Sequence, residues 1–252
     1  MEIMNEEYPS YELLQPWSSF VLKTKLPDKI LKEMVELTDK IVFDSSSEDF
    51  GPNLVGQIEW EPKIELKLIE KTNIEKYLYD MIHQYCMRAH LQNYPTSRMN
   101  SAIPPPFSKY LIDPMWIVSQ KDNEYNPIHV HGQCTLSAVL YLKIPEYLPS
   151  RKQTKGEYNN FNTDGSIVFS SSPRNPMGVF GTEGVLTINP QPGDFFIFPA
   201  EQYHMVYPFR TADGKGERRS VSFNVICNSD SIESVFKHKD LNKEKDKKIK
   251  KY

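Results

Sequence analysis

Apolar positions along this chain follow two different periods, and the change divides it near residue 110. In the first part they recur at helical spacing. Leu26-Pro27-Asp28 opens a predicted helix whose stripe, Ile30, Leu31, Met34, Val35, Leu37, Thr38, Ile41 and Val42, runs to about Phe43. Residues 44–53 are polar and read as a loop, and residues 54–68 fit no single period. Thr72-Asn73 then caps a second predicted helix over 73–93, with Ile74, Tyr77, Leu78, Met81, Ile82, Tyr85, Cys86 and Ala89 on its buried side. His83 and His90 fall on its polar flank and read as plain surface histidines. Ahead of both helices, residues 1–20 read as an irregular lead-in, with Phe20-Val21-Leu22 as a short strand.

Beyond the stiff linker Pro104-Pro105-Pro106 the period becomes two, starting at Met115-Trp116-Ile117-Val118. Asn126-Pro127-Ile128-His129-Val130-His131 predicts a strand with proline at its start, where a missing N–H is tolerated. Leu136-Ser137-Ala138-Val139-Leu140-Tyr141-Leu142 has no polar alternation and predicts a strand covered on both faces. Residues 145–184 form the longest irregular stretch, broken by Ile167-Val168-Phe169 as a short strand; a loop of that length reads as functional, a lid over 146–184. Pro192-Gly193-Asp194 is a turn signal that leads into the hydrophobic strand Phe195-Phe196-Ile197-Phe198-Pro199.

The last predicted strand, Arg218 to Val225, alternates cleanly. Arg218, Ser220, Ser222 and Asn224 share one face, and Arg219, Val221, Phe223 and Val225 share the other. The polar face predicts a site lining, with the Arg218 guanidinium as a fork for a carboxylate. Arg219 points the other way and reads as a surface residue.

Composition changes this picture little. The chain has 252 residues, enough for one large β domain with helical decoration or two small domains. A net charge of −3 excludes a basic footprint for duplex nucleic acid or an anionic membrane. There is no apolar run of membrane-spanning length, and residues 1–10 are acidic and polar, unlike a signal peptide. Cys86, Cys134 and Cys227 are odd in number and scattered, which predicts reduced thiols in a cytoplasm (a host cytoplasm if the chain is viral) and argues against a zinc site built on thiolates.

The candidate chemistry is held by histidines. On a strand His129 and His131 project to one side and can share one metal ion. His204 follows the hydrophobic strand and is the third candidate ligand. Asp122, Glu124, Asp194 and Glu201 are carboxylates that could stand in for a ligand, although none has the i, i+2 geometry.

Taken in order, H-x-H, a buried strand, P-x-x-G-D-x-x-x-F-P over 190–199, His204, and R-x-S-x-S-F-N over 218–224 resemble the iron(II)- and 2-oxoglutarate-dependent oxygenases. The N-x-x-H-x-H run at 126–131 is similar to a subfamily often seen in phages and marine microbes. The resemblance spans about residues 111–228. It implies an α+β, mainly β fold: a double-stranded β-helix (jelly-roll or cupin-like) core over 111–230, with N-terminal helices from a support region, 1–110, packed on one sheet. A Lys-rich tail, 237–252, is expected to be disordered.

The resemblance also implies Fe(II) held by His129, His131 and His204, 2-oxoglutarate as cosubstrate gripped by Arg218 and Ser220 with Tyr141 near it, and O2. The implied reaction is oxidative decarboxylation of 2-oxoglutarate coupled to hydroxylation of a substrate, which could be a peptide, a nucleobase or a small metabolite. His131 departs from the family's pattern, where an acid usually stands. That leaves open a site in which His131 is not a ligand, and a three-histidine dioxygenase that uses no 2-oxoglutarate. A non-catalytic jelly-roll binding or virion-associated module is the non-enzyme alternative.

Overall fold

Strands whose two faces are both apolar need cover on both sides, and the computed structural model shows what covers them. It describes residues 11–14, 20–93, 107, 109–148, 163–170 and 184–227, with no side chains for 11–14 and 90–93. Ten strands are present among these: β1 (Tyr11–Leu14), β2 (Val21–Lys25), β3 (Tyr110–Lys121), β4 (Asn126–His129), β5 (Leu136–Lys143), β6 (Ile167–Ser170), β7 (Val185–Ile188), β8 (Asp194–Pro199), β9 (Tyr203–Val206) and β10 (Glu217–Cys227). Two helices, α1 (Asp28–Val42) and α2 (Asn73–Asn93), precede β3.

The strands form two antiparallel sheets. The larger has the order β1-β2-β8-β5-β10-β3, and the smaller β4-β9-β6-β7. Strand alternation splits the side chains of the larger sheet between two cores. Leu136, Ala138, Leu140, Phe195, Ile197, Val221 and Phe223 face a core shared with Ile30 and Met34 of α1 and Leu78, Met81 and Ile82 of α2. Val139, Tyr141, Phe196 and Phe198 face the opposite way and pack with Ile167, Phe169 and Val206 of the smaller sheet. The layers are therefore helices, six-stranded sheet, four-stranded sheet, the double-stranded β-helix arrangement with its helices on one sheet.

Local signals account for the helices. Ile30, Met34, Thr38 and Ile41 are the buried stripe of α1, each apolar one contributing about 1.5–3 kcal/mol over an exposed position. The α2 start is a reciprocal cap: the Glu75 N–H donates to Thr72 Oγ1 (3.3 Å), and the Lys71 N–H donates to Glu75 Oε2 (2.7 Å). His83 is exposed, as expected, with its Nδ1 3.1 Å from the Tyr110 hydroxyl.

Two expectations change, and one strand is added to them. The lead-in is not wholly irregular, because Tyr11–Leu14 pairs with Val21–Lys25 as an edge strand. Beyond Phe169, a further strand stands at Val185–Ile188 and pairs with β6. Arg219 is not a surface residue. It is fully buried, and its guanidinium meets Glu217 (2.6 Å) and Asp39 of α1. The face of β10 opposite the site is covered by the helical layer, so a charge there has to be answered inside the protein. Most of the predicted lid, with Arg151, Lys152, Lys155, Tyr158, Phe161 and Arg174, lies outside the described residues, as do the His90 side chain, the triproline linker and the Lys-rich tail.

Candidate active site

The open space between the two sheets is a pocket of about 330 Å³, lined from both sides. The smaller sheet brings His129 and His204, which are direct cross-strand partners on β4 and β9. His131 lies just beyond β4, and its N–H donates to the Ala200 carbonyl (2.8 Å). It therefore reaches the cluster from a turn anchored after β8, rather than from the regular strand that its spacing suggests.

The ligand atoms of the three imidazoles all lie within 4.8 Å of one another. The Nε2 atoms of His131 and His204 are 3.2 Å apart. Two nitrogens bound at a right angle to one ion, with bonds of about 2.1 Å, would lie about 3 Å apart. Backbone carbonyls orient two of the rings: His129 Nδ1 is 2.7 Å from the Pro127 carbonyl, and His204 Nδ1 is 2.9 Å from the Gln202 carbonyl. With Nδ1–H donating there, Nε2 keeps its lone pair for a metal.

Burial lowers the pKa of all three imidazoles. For His131 burial, then the neighbouring His129, bring it down to about 4, and His204 falls well below the ordinary value for the same reasons. Neutral imidazoles are the form a metal requires.

The carboxylates considered as stand-ins do not join the cluster. Asp122 accepts from the Thr211 N–H (2.6 Å) and hydroxyl (2.9 Å), and Glu124 accepts from the N–H groups of Glu59 (2.8 Å) and Lys121 (2.6 Å). Asp194 pairs with Lys25 (2.8 Å), and Glu201 is exposed.

The larger sheet supplies the opposite wall. Arg218, Ser220, Ser222 and Asn224 of β10 line the pocket, as their shared face predicts, together with Ser137, Val139 and Tyr141 of β5. Tyr141 stands beside Ser220 on the adjacent strand of the same sheet, so it does not face β10 from across the pocket. The Arg218 guanidinium carbon lies 4.7 Å from the centre of the Tyr141 ring, a cation–π contact. Gln120, directly opposite Arg218 on β3, accepts a hydrogen bond from its Nη1 and is itself tied to the Glu124 and Tyr207 carbonyls.

Arg218 is 2% exposed, yet among the described residues no carboxylate pairs with it. Its Nε, the Tyr141 hydroxyl and Asn224 Oδ1 are buried without a hydrogen-bond partner. A buried, unanswered cation is costly in a folded protein. Two of these, Arg218 Nε and the Tyr141 hydroxyl, are donors, and orphaned donors on and beside a cation fit a group that brings its own carboxylate, such as 2-oxoglutarate, so the residues present suit the cosubstrate as well as the metal.

Sequence reasoning singled out neither Gln120, which holds Arg218 from outside the pocket lining, nor Glu61, which lines the pocket. Gln120 was within reach, because period two from Trp116 places Trp116, Val118 and Gln120 on one face. Glu61 lines the pocket from a stretch without periodicity, and nothing in the sequence separates it from its neighbours.

The family comparison agrees with this geometry. Residues 114–224 match the sequence model of the family described as "Putative 2OG-Fe(II) oxygenase". Similar solved structures include a Pseudomonas putida prolyl-4-hydroxylase, 14% identical over 83% of this chain and 93% of that one, with a TM-score of 0.47. Another is a Trichoplax adhaerens prolyl hydroxylase in complex with a hypoxia inducible factor oxygen degradation domain peptide fragment (14% identity, 79% and 76% covered, TM-score 0.45). A third is the non-heme alpha ketoglutarate dependent carbocyclase SnoK from nogalamycin biosynthesis (9% identity, 82% and 79% covered, TM-score 0.50), whose likeness bears on the fold alone. No curated protein matches the sequence significantly. Residues 114–224 thus match a 2OG-Fe(II) oxygenase domain, of the family that uses Fe(II), 2-oxoglutarate and O2.

Proposed function

We propose that the chain is an Fe(II)- and 2-oxoglutarate-dependent hydroxylase in which all three histidines hold the metal. The observation that carries this reading is Arg218: a buried guanidinium that no carboxylate among the described residues answers, in the same pocket as the histidine cluster. A three-histidine dioxygenase that used no 2-oxoglutarate would have no use for it.

When bound, iron with 2-oxoglutarate supplies the oxidative chemistry, in which O2 converts 2-oxoglutarate to succinate and carbon dioxide and hydroxylates the substrate. The protein's own residues bind and orient. His129, His131 and His204 present Nε2 lone pairs, and their neutrality means that no proton has to leave the ring on metal binding at neutral pH. Arg218 and Ser220 grip the distal carboxylate, with the Tyr141 hydroxyl as a further donor. Val139, Ile167, Phe198 and Val206 line the pocket with apolar surface, which limits water there and strengthens the charge contact.

The substrate is a peptide, a nucleobase or a small metabolite. A net charge of −3 supports a partner other than duplex nucleic acid, and among the described residues no helix is long and apolar enough to cross a membrane. The free thiols Cys86, Cys134 and Cys227 support a reducing, cytoplasmic setting, and the N-x-x-H-x-H motif supports a phage-like origin.

The test is anaerobic addition of Fe(II) and 2-oxoglutarate. The wild type develops the visible charge-transfer band of the chelate and, in air, releases succinate in a screen of peptide, nucleotide and amino-acid pools. A colourless mixture that binds the metal but not the cosubstrate would replace this reading with a structural metal site.

A further inference from the structure

The far wall of the pocket comes from a segment that precedes the family match. Residues 57–64 run beside β3: Lys63 pairs with Trp116, the Ile117 N–H donates to the Pro62 carbonyl (2.8 Å), and the Ile64 N–H donates to the Met115 carbonyl (2.9 Å). Continuing that register sets Glu61 opposite Val118, which in turn pairs with Ser220 of β10. Alternation turns Glu61 to the same face as Trp116 and Val118, into the pocket. Two strand spacings, about 10 Å in all, separate its backbone from that of β10 and leave room for a substrate group between them.

Glu61 is 1% exposed, and its Oε2 is buried with no hydrogen-bond partner. A Cβ placed on Gly56 would stand 2.9 Å from Glu61 Oε2 and 2.6 Å from Asn126 Oδ1. Two acceptor oxygens thus come together where they pack against the bare Cα of this glycine. The rings of Phe50 and Trp116, 5.7 Å apart and tilted by 38°, line the same pocket.

The charge around them has one sign. Residues 44–62 carry Asp44, Glu48, Asp49, Glu59 and Glu61 and no lysine or arginine. The next basic residue, Lys63, is already paired with Glu48 (3.4 Å) and Glu65 (3.2 Å). Burial, then the charges of Asp49 and Glu124, push the Glu61 carboxyl up to about 8. A buried acid among acids, with an oxygen unanswered, is stabilised by a cation brought in from outside.

We propose that Glu61, with Asn126 and the ring faces of Phe50 and Trp116, forms the substrate-recognition end of this pocket and takes a cationic nitrogen group, a guanidinium or an ammonium. This inference rests on the oxygenase reading for the site and names the class of its substrate. Such a group offers several N–H donors to the two oxygens, and its charge suits aromatic faces. The basic substrate then spans the gap between the acidic end and the metal, with its cation held away from Arg218.

The experiment titrates n-butylguanidinium, n-butylammonium and their neutral counterpart n-butylurea into the full chain loaded with Mn(II) and 2-oxoglutarate. Calorimetry gives the affinity, and broadening of the probe's proton resonances by Mn(II) places it near the metal. At least one of the two cations is expected to bind saturably and at least tenfold more tightly than n-butylurea. Glu61→Gln, which keeps the shape of the side chain, is expected to lose at least tenfold in cation affinity while 2-oxoglutarate affinity holds. Gly56→Ala puts a methyl group against both oxygens and displaces them, and is expected to weaken the cation likewise, which keeps the proposal testable if the first variant folds poorly.

Equal binding of n-butylurea, no binding of either cation, or unchanged cation affinity in these variants overturns the proposal. If the wild type binds no 2-oxoglutarate, the oxygenase reading fails by itself. Cation titrations of the unloaded protein and of Glu61→Gln then still decide the role of Glu61.

Discussion

Arg218 and Arg219 lie side by side on β10, and strand alternation sends them into different surroundings. Arg219 points to the helical layer, where Glu217 and Asp39 answer its charge. Burial works against both carboxyls, but hydrogen bonds from Lys143 and Arg219 hold Asp39 below its ordinary range, and those from Ser119 and Arg219 hold Glu217 below its own. Arg218 points into the pocket between the sheets and finds an aromatic face and an amide oxygen, but no acid among the described residues. A buried charge satisfied within the fold belongs to the fold. A buried charge left unsatisfied marks a place where something else binds.

The largest expected effect on stability is on the structural side of this pair. Arg219→Ala leaves Asp39 and Glu217 without their cation at a packed interface and should destabilise the protein by about 3 kcal/mol, the low end for breaking a buried pair, because both acids keep some access to water. Urea unfolding measures it. A change under about 0.5 kcal/mol would return Arg219 to the role of a surface residue and remove the contrast.

Arg218→Ala should act in the opposite sense. It is expected to weaken 2-oxoglutarate binding by about 2–5 kcal/mol, as for truncating one side of a buried charge pair. Metal affinity and the urea midpoint should stay near the wild-type values, since the side chain lost has no acid partner among the described residues. Calorimetry with Mn(II) and 2-oxoglutarate separates the two affinities. Equal loss of both would mean that Arg218 is a second Arg219.

The histidines sharpen the comparison on the smaller sheet. His131→Ala should lower metal affinity about as much as His129→Ala, because both rings belong to one cluster, and His131→Asp should still bind Fe(II). Unchanged affinity in His131→Ala would leave His129 and His204 as the only imidazole ligands.

Acid provides a further test. An ordinary imidazole would begin to protonate near pH 6.5, but burial depresses all three here, His131 to about 4. In that window the unfolded chain binds more protons than the folded one, so stability is retained above about pH 6.5 and falls as the pH drops toward 4. Metal affinity should likewise hold through the low sixes and fade only below them. Melting curves of the metal-free protein between pH 7 and 4.5 check the first expectation. Stability that rises on acidification would contradict buried, neutral imidazoles.

Ser220→Ala should give the smallest effect, a loss of about 1 kcal/mol in 2-oxoglutarate binding for one hydrogen bond, with no change in stability. No change in the cosubstrate's affinity would mean that Arg218 grips the carboxylate without Ser220.

Much of this was legible in the chain because it rests on period and local chemistry. The face shared by Arg218, Ser220, Ser222 and Asn224 follows from alternation alone, and so do the helical stripes ending at Val42 and Ala89. The continuous apolar run of β5 says that both faces are covered. It does not say that helices lie on one side and the smaller sheet on the other. That is why Arg219 reads as exposed from the sequence: alternation tells which residues part company, and only packing tells what each meets.

The same division holds at the site. His129 and His131 sit close in sequence, and any extended backbone brings their rings near each other. That His204 stands opposite His129 depends on β4 pairing with β9, a register set by the closure of the smaller sheet. That Glu61 enters the pocket depends on residues 57–64 settling beside β3 through backbone hydrogen bonds, which carry no side-chain signature. The sequence by itself determined the elements, their faces and the kinds of side chain offered, because these depend on neighbours along the chain. The tertiary structure alone decided which charges are answered, because that depends on partners far apart in sequence: Asp39 reaches Arg219, and among the described residues no acid reaches Arg218.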